Sequence, residues 1–346
     1  MISLISFDKL LELTETILIK GYGYNQKEAN ITALLLVEAD ARGIPSHGVS
    51  RLAFYQVNLD LGHCRPGFEP KIVWQTPVSL VVDGQAGVGC YVADWCVKET
   101  IKLAKESGAA FCSVRNSNHY GIAGYWAELI ANENMIGLAF TNTYIAGVPT
   151  FGSRRILGTN PICVAIPEAG GRTFMLDMAT ATVSHGKIEL YDRRQKPMPH
   201  GWVVDEKGEE TFDATAFEKT FYQTMFGGHL YVGGVGEESG GHKGFGLALM
   251  VELLCSGLSL GASSPETYLK SGVAGIAHFF GALRMDLFGQ PSLIKEHIGA
   301  ILDRIRLSEK VEGHERIYIH GEKETEARAK AMEDGVFLDP ATKSYL

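Results

Sequence analysis

The feature that most constrains this chain is the run from Ile31 to Ala41. Ile31, Ala33, Leu34, Leu35, Leu36, Val37, Ala39 and Ala41 are interrupted there only by Thr32, Glu38 and Asp40. A helix apolar around its whole circumference has to be covered on two sides, so the fold must supply layers against both. Asn25, with Glu28 three residues on, makes a capping-box start for it. Arg42 and Gly43 end it, a cation in the last turn and a glycine just beyond. Pro45 then keeps Ile44 extended, which sets the polar cluster from Ser46 to Arg51 at a helix-turn-helix corner. If a helix runs on from Ser46, His47 and Arg51 stand four apart and share a face, where they could hold a substrate carboxylate and move a proton beside it. A capped helix start, with Ser46 or Ser50 as the N-cap, is the plainer reading of the same residues.

The first seventy residues read as helical, beginning with a run capped by Ser6 that extends through Lys20 and stops at Gly21. From about residue 75 short strands and helices alternate. Strands are expected at Val78–Val82, Ala109–Val114, Ile136–Phe140, Ile162–Ile166, Thr173–Leu176, Ile276–Leu283 and Arg316–Ile319. Helices are expected at Val92–Ser107, Ile122–Asn134, Pro291–Ile305 and Glu322–Glu333, with a buried one at Gly244–Leu258. The stretch from Lys207 to Gly241 follows neither period.

With 346 residues the chain has room for about two domains. Its formal charge of −8, with no basic run, argues against nucleic acid and anionic membrane surfaces as partners. Met1 to Asp8 lacks a basic segment and a cleavage site, and no apolar run is long enough to span a bilayer. Six scattered cysteines without a C-x-x-C pair read as reduced thiols, and the cytoplasm is the expected location.

No G-x-G-x-x-G follows an expected strand, and no phosphate loop or H-E-x-x-H helix occurs, so a Rossmann or P-loop fold has no motif support. Four other stretches could carry chemistry. Asn116 to Gly121 joins a strand to a helix, where an anion or a reacting carbonyl is favoured near helix N–H groups; an Asn/Ser cap with an incidental His119 competes with that reading. Leu157 to Pro161 is a turn rich in hydroxyl and amide groups. Asp177 ends an apolar strand, suited to a ribose diol or to an N-cap, with Ser184-His185-Gly186-Lys187 following. Gly240 to Gly246 is a glycine-dense entry to a helix, in which Lys243 could meet a phosphate.

Together with Arg42–Leu52, Val148–Gly152, His242–Met250 and His278–Phe280, these pieces resemble the malate/L-lactate dehydrogenase family that is unrelated to the Rossmann enzymes. Its relatives include sulfolactate and ureidoglycolate dehydrogenases, diketogulonate reductase and piperideine-2-carboxylate reductase. The resemblance implies an α/β fold with a mainly antiparallel central sheet that binds the nicotinamide cofactor, and a mostly helical domain from both chain ends. The expected division is 1–74 with 285–346 for substrate and dimerisation, and 75–284 for the cofactor. It further implies a homodimer, NAD or NADP as cofactor, no metal, and a 2-hydroxy or 2-oxo acid as substrate. Malate is foremost, ahead of lactate, sulfolactate, ureidoglycolate or a cyclic imino acid.

On the matching positions, the family implies acid/base roles for His47, with Ser46 beside it, and for His119. Arg51, Tyr55 and Thr159 are expected at the substrate. Tyr120, Gly121, Thr143, Asp177, Met178, Ala179, Lys187, His242, Lys243, Gly321 and Glu322 are expected at the cofactor. Thr211 to Ser239 departs from the family pattern. A silent nucleotide-binding member of the family and a metal-dependent hydrolase are the rival classes.

Overall fold

A computed structural model describes residues 3–269, 272–343 and 346, so the first two residues of the N-terminal stretch read above lie outside it. The apolar run forms the helix Gln26–Ala41, and the Asn25/Glu28 capping box closes reciprocally at its start. The helix before it, Phe7–Tyr22, is capped by Ser6 as expected but runs on to Gly23, whose left-handed φ of 68° ends it; Gly21 lies within the helix. The run is covered on both sides. Leu35 and Ala39 enter the core over the central sheet, whereas Ala33, Leu36, Val37 and Ala41 pack with Leu10, Leu18 and Leu52 among the terminal helices.

The central sheet has seven strands in the order Lys71–Gln75, Ser79–Asp83, Ala109–Ser117, Ile276–Arg284, Met135–Thr141, Ile162–Pro167 and Thr173–Met178. Only Ser79–Asp83 and Ala109–Ser117 pair parallel; every other neighbour is antiparallel, as expected of the fold class. The helices Gly89–Ser107 and Ala123–Ala131 bury Val92, Cys96, Trp126 and Ile130 on one face. On the other face Val251 and Cys255 pack on Phe140, Ile162 and Phe279.

Some expectations are corrected. Lys71–Gln75 is an edge strand that alternation did not reveal, because nearly all of it is exposed. Ser3–Ile5 pairs with Val336–Leu338, so the N-terminal segment is not wholly helical. Arg316–Ile319 is not a strand: it runs irregularly, and Tyr318 lies between the cations of Arg316 and Lys323. The helix Gly241–Glu252 continues as a π-turn over Leu253–Gly257, and this segment is only half-buried, with Leu249, Met250, Leu253 and Leu258 facing outward. The unassigned stretch holds the helix Ala214–Gln223, which packs Phe217 against Trp202, Ile188 and Met198 in a small separate core.

Candidate active site

The corner after Pro45 does not start an α-helix at Ser46. Two short 3₁₀ turns, Pro45–His47 and Val49–Arg51, are split by the extended Gly48 before the helix Leu52–Asp60 begins. His47 and Arg51 therefore do not share a helical face. Neither Ser46 nor Ser50 caps a helix: Ser50 Oγ donates to the Pro45 carbonyl, and Ser46 Oγ lies 3.0 Å from His47 Nδ1. Arg51 Nε donates to the Ser46 carbonyl, which ties the guanidinium back to the same corner. Asp40, buried in the apolar helix, holds the corner from behind by accepting the Val49 N–H at 2.8 Å. It packs so closely on Gly48 that a Cβ there would meet the carboxylate at 2.0 Å.

His119 arrives from the end of Ala109–Ser117 and stacks on His47, ring centroids 5.5 Å apart. Tyr55 from the next helix sets its hydroxyl 3.0 Å from His119 Nδ1, and Gly121 N–H donates to the same nitrogen at 3.3 Å. A backbone N–H can only donate, so Nδ1 is the acceptor and the neutral ring carries its proton on Nε2, a tautomer assigned from the network. Gly121 is required here: its φ is +79°, and a Cβ would stand 2.3 Å from Leu35 Cδ2.

Desolvation first and Arg51 second pull the pKa of His47 down to about 4. Desolvation, then His47 and Arg51, lower His119 well below its ordinary value. Both imidazoles are neutral near pH 7.

A second group of expected residues gathers at a cleft of about 250 Å³ on the far edge of the sheet. Asp177 and Gly321 line it with Arg42, Ile122, Gly124, Tyr318, His320, Lys323 and Glu324. Asp177 Oδ2 accepts the Gly124 N–H at 2.7 Å, in the first turn of Ala123–Ala131, so the carboxylate both serves a helix start and opens on the cleft. The surrounding atoms first, and Glu324 among its charged neighbours, push its pKa up. Thr143 and Thr159 form a third group, with Thr159 N–H donating to Thr143 Oγ1 at 2.9 Å and the two hydroxyls 3.5 Å apart. Met178 and Ala179 lead from Asp177 toward it, since Thr180 N–H donates to the Thr159 carbonyl.

Other expected residues stand apart. The Tyr120 ring is buried, stacked on His278 at 4.4 Å with its hydroxyl unpartnered, so only its backbone is available to a ligand. Lys187 lies over Trp202 in the small core. His242 and Lys243 are exposed at the start of Gly241–Glu252. The Glu322 carboxylate is taken by Arg306 and Arg316 and by the Ile319 N–H.

Sequence reasoning missed Asp40, His320 and Glu252. Asp40 and Glu252 sit in helices, where an isolated carboxylate in an apolar stretch carries no sign of its partner. Among the described residues no three His, Cys, Asp or Glu side chains converge as a metal would need, and no helix is long and apolar enough to cross a membrane.

Paired neutral imidazoles beside a guanidinium, on a mainly antiparallel sheet without a glycine fingerprint, equip the corner to exchange a proton and anchor a carboxylate, and by its relatives the protein is an oxidoreductase acting on CH–OH groups outside the Rossmann class. The chain belongs to the malate/L-lactate dehydrogenase family, whose sequence profile matches residues 5–346. A malate dehydrogenase of Pyrococcus abyssi is 40% identical over 318 residues, covering 91% of this chain and 85% of that protein. The L-sulfolactate dehydrogenase of Methanocaldococcus jannaschii is 37% identical over 93% of this chain and 89% of its own length. The crystal structure of malate dehydrogenase from Entamoeba histolytica superposes with a TM-score of 0.95 at 32% identity, covering 100% of this chain and 96% of the other. Membership brings a nicotinamide cofactor with it. The cleft fits such a group: Asp177 offers an acceptor for a ribose diol, and Lys323 and His320 offer nitrogen donors.

Proposed function

We propose that this protein is an NAD- or NADP-dependent 2-hydroxy acid dehydrogenase with malate and oxaloacetate as its foremost substrate pair. The cofactor, when bound, supplies the hydride acceptor or donor. Arg51 binds the carboxylate next to the reacting carbon through its terminal nitrogens, since its Nε is committed to Ser46. His119 donates its Nε2–H to the substrate oxygen and orients it. His47 takes the hydroxyl proton as hydride leaves and returns it in the reverse direction. Its Nδ1 can donate to Ser46 Oγ, which leaves the Nε2 lone pair free, whereas His119 has its acceptor nitrogen already filled.

The observation that carries this reading is the stacking of two neutral histidines at the corner that holds Arg51. Thr143, Asp177, Met178, Ala179 and Gly321 serve the cofactor side, and Thr159, expected at the substrate, joins them because its N–H and hydroxyl face Thr143. Under the division into 1–74 with 285–346 and 75–284, both parts contribute to each side: His119 of 75–284 stacks on His47, and His320, Gly321 and Lys323 of 285–346 line the Asp177 cleft. A homodimer accords with the outward Leu253, Leu258 and Leu260, exposed by 58%, 57% and 84%.

The test assays His47→Ala and His119→Ala with oxaloacetate, pyruvate, sulfopyruvate and cyclic imino acids, each with NADH and NADPH. Oxaloacetate should be the best substrate of the unaltered protein. His47→Ala should lower kcat by about 10²- to 10⁴-fold at nearly unchanged KM. Normal turnover in His47→Ala would refute its role; binding of NADH without turnover of any oxo acid by the unaltered protein would favour the silent member.

A further inference from the structure

Glu252 ends the helix Gly241–Glu252 and is 5% exposed. Its Oε1 accepts from Ser264 N–H at 2.7 Å and from Asn142 Nδ2 and Ser256 Oγ at 3.3 Å. Its Oε2 accepts from Ser264 Oγ at 2.6 Å and Asn160 Nδ2 at 2.9 Å. Among the described residues it forms no salt bridge, so the buried carboxyl group is held by neutral donors alone. Such a group persists when the donors themselves need it.

The two asparagines show what that need is. An amide has one donating end and one accepting end, and a carboxylate can only accept. Both asparagines turn their NH2 groups to Glu252, each sharing that group with a backbone carbonyl at 3.0 Å, Ala262 for Asn142 and Ala248 for Asn160, and their oxygens face the other way. Asn142 Oδ1 then accepts the Ala277 N–H at 2.8 Å, and Asn160 Oδ1 accepts the Thr143 N–H at 3.2 Å. Thr143 Oγ1 in turn receives Thr159 N–H. The backbone of Gly158 packs directly on this pair: a Cβ there would stand 2.2 Å from Thr143 Oγ1 and 2.6 Å from Asn160 Oδ1.

We propose that Glu252 is a positioning residue that, together with the Ala248 carbonyl, holds Asn160, and through it presents the Thr143–Thr159 hydroxyl pair to the bound cofactor. This rests on the reading above that the pair serves the cofactor side. Glu252→Gln keeps the shape but has only one oxygen. The Ser264 N–H cannot turn, so the oxygen stays with it and the new NH2 group faces Asn160. Asn160 cannot flip to accept from it, because its own NH2 group also donates to the Ala248 carbonyl and its oxygen takes the Thr143 N–H; the two facing NH2 groups push Asn160 away from Thr143.

The test measures NADH dissociation by fluorescence titration, KM for oxaloacetate and melting temperature, for Glu252→Gln and Thr143→Ala. Glu252→Gln should weaken NADH binding about tenfold, the loss of a buried hydrogen bond, with the oxaloacetate KM little changed. An unchanged NADH affinity in folded Glu252→Gln overturns the proposal. If Glu252→Gln yields no folded protein, Ser264→Ala removes the hydroxyl that donates to Oε2 and accepts the Gly158 N–H. It should weaken NADH in the same direction, and an unchanged affinity there overturns the proposal equally. Thr143→Ala tests the underlying reading separately: if it leaves NADH binding intact, the hydroxyl pair is not at the cofactor, whatever Glu252 does.

Discussion

Asp40 offers a quantitative check on how the His47 corner is held. Its carboxyl is 8% exposed and accepts one backbone N–H, from Val49. Burial pushes its pKa from 3.8 up to about 7; the Val49 N–H pulls the other way, and the negative charge of Asp339 adds to the rise. Folded protein thus binds this proton more tightly than the unfolded chain does. The stability it contributes is fully present below about pH 4 and is lost as pH rises through about 7, the reverse of the usual ion-paired aspartate. At about 1.4 kcal/mol for each tenfold in proton affinity, the span is about 4 kcal/mol as an upper bound. Asp40→Asn stays neutral and keeps an oxygen for the Val49 N–H. In urea unfolding between pH 4.5 and 8.5, the variant should gain on the unaltered protein as pH rises, reaching an advantage of about 2–4 kcal/mol above pH 7. Parallel curves, or a variant less stable at pH 8, would show that Asp40 is not a strained buried acid, and the account of the corner would fall with it.

The proton chemistry and the His119 turn can be checked in the same way. Because the free His47 titrates at about 4, reduction needs a protonated form that becomes rarer as pH rises. Its kcat/KM should fall about tenfold per pH unit between pH 6 and 8 while that of oxidation stays level; a flat reduction profile contradicts the assignment. Gly121→Ala combines a positive φ with a Cβ 2.3 Å from Leu35, and should destabilise the protein by about 2–4 kcal/mol and lower kcat by displacing His119, read by urea midpoint and turnover.

How far the sequence showed this arrangement depended on the range of the interactions involved. The capping box at Asn25 and Glu28 and the two-sided burial of Ile31–Ala41 are local patterns, and both are in the structure. The central strands were legible because they are long and apolar, whereas Lys71–Gln75 was not, being an exposed edge. Ser3–Ile5 and Val336–Leu338 pair only because the chain ends meet, which no local window can contain. In the site, His47, Arg51 and His119 were found as motifs. Their relation was misjudged at one residue: Gly48, extended against Asp40, breaks the helix that would have put His47 and Arg51 on one face.

The residues that escaped notice share a physical character. Asp40 and Glu252 interrupt apolar helices, and a carboxylate in such a place looks like a solvated position until its donors are known. Neither has a cation within salt-bridge range among the described residues, and both are held by backbone N–H or neutral side-chain donors. An ion pair would have tied each to one partner at one point. A bare carboxylate instead forces every nearby donor to face it: Val49 and the 3₁₀ turn on the substrate side, Asn142, Asn160 and Ser264 on the cofactor side. Two buried carboxyl groups thereby set the orientation of loops that have no regular secondary structure to hold them, at the expense of stability near neutral pH in the case of Asp40. If that is their role, removing the charge at constant shape should affect the two sites differently. Asp40→Asn should stabilise, because Val49 needs only one acceptor, whereas Glu252→Gln should displace Asn160, whose NH2 group loses the acceptor at Oε2 while Asn142 keeps the one at Oε1.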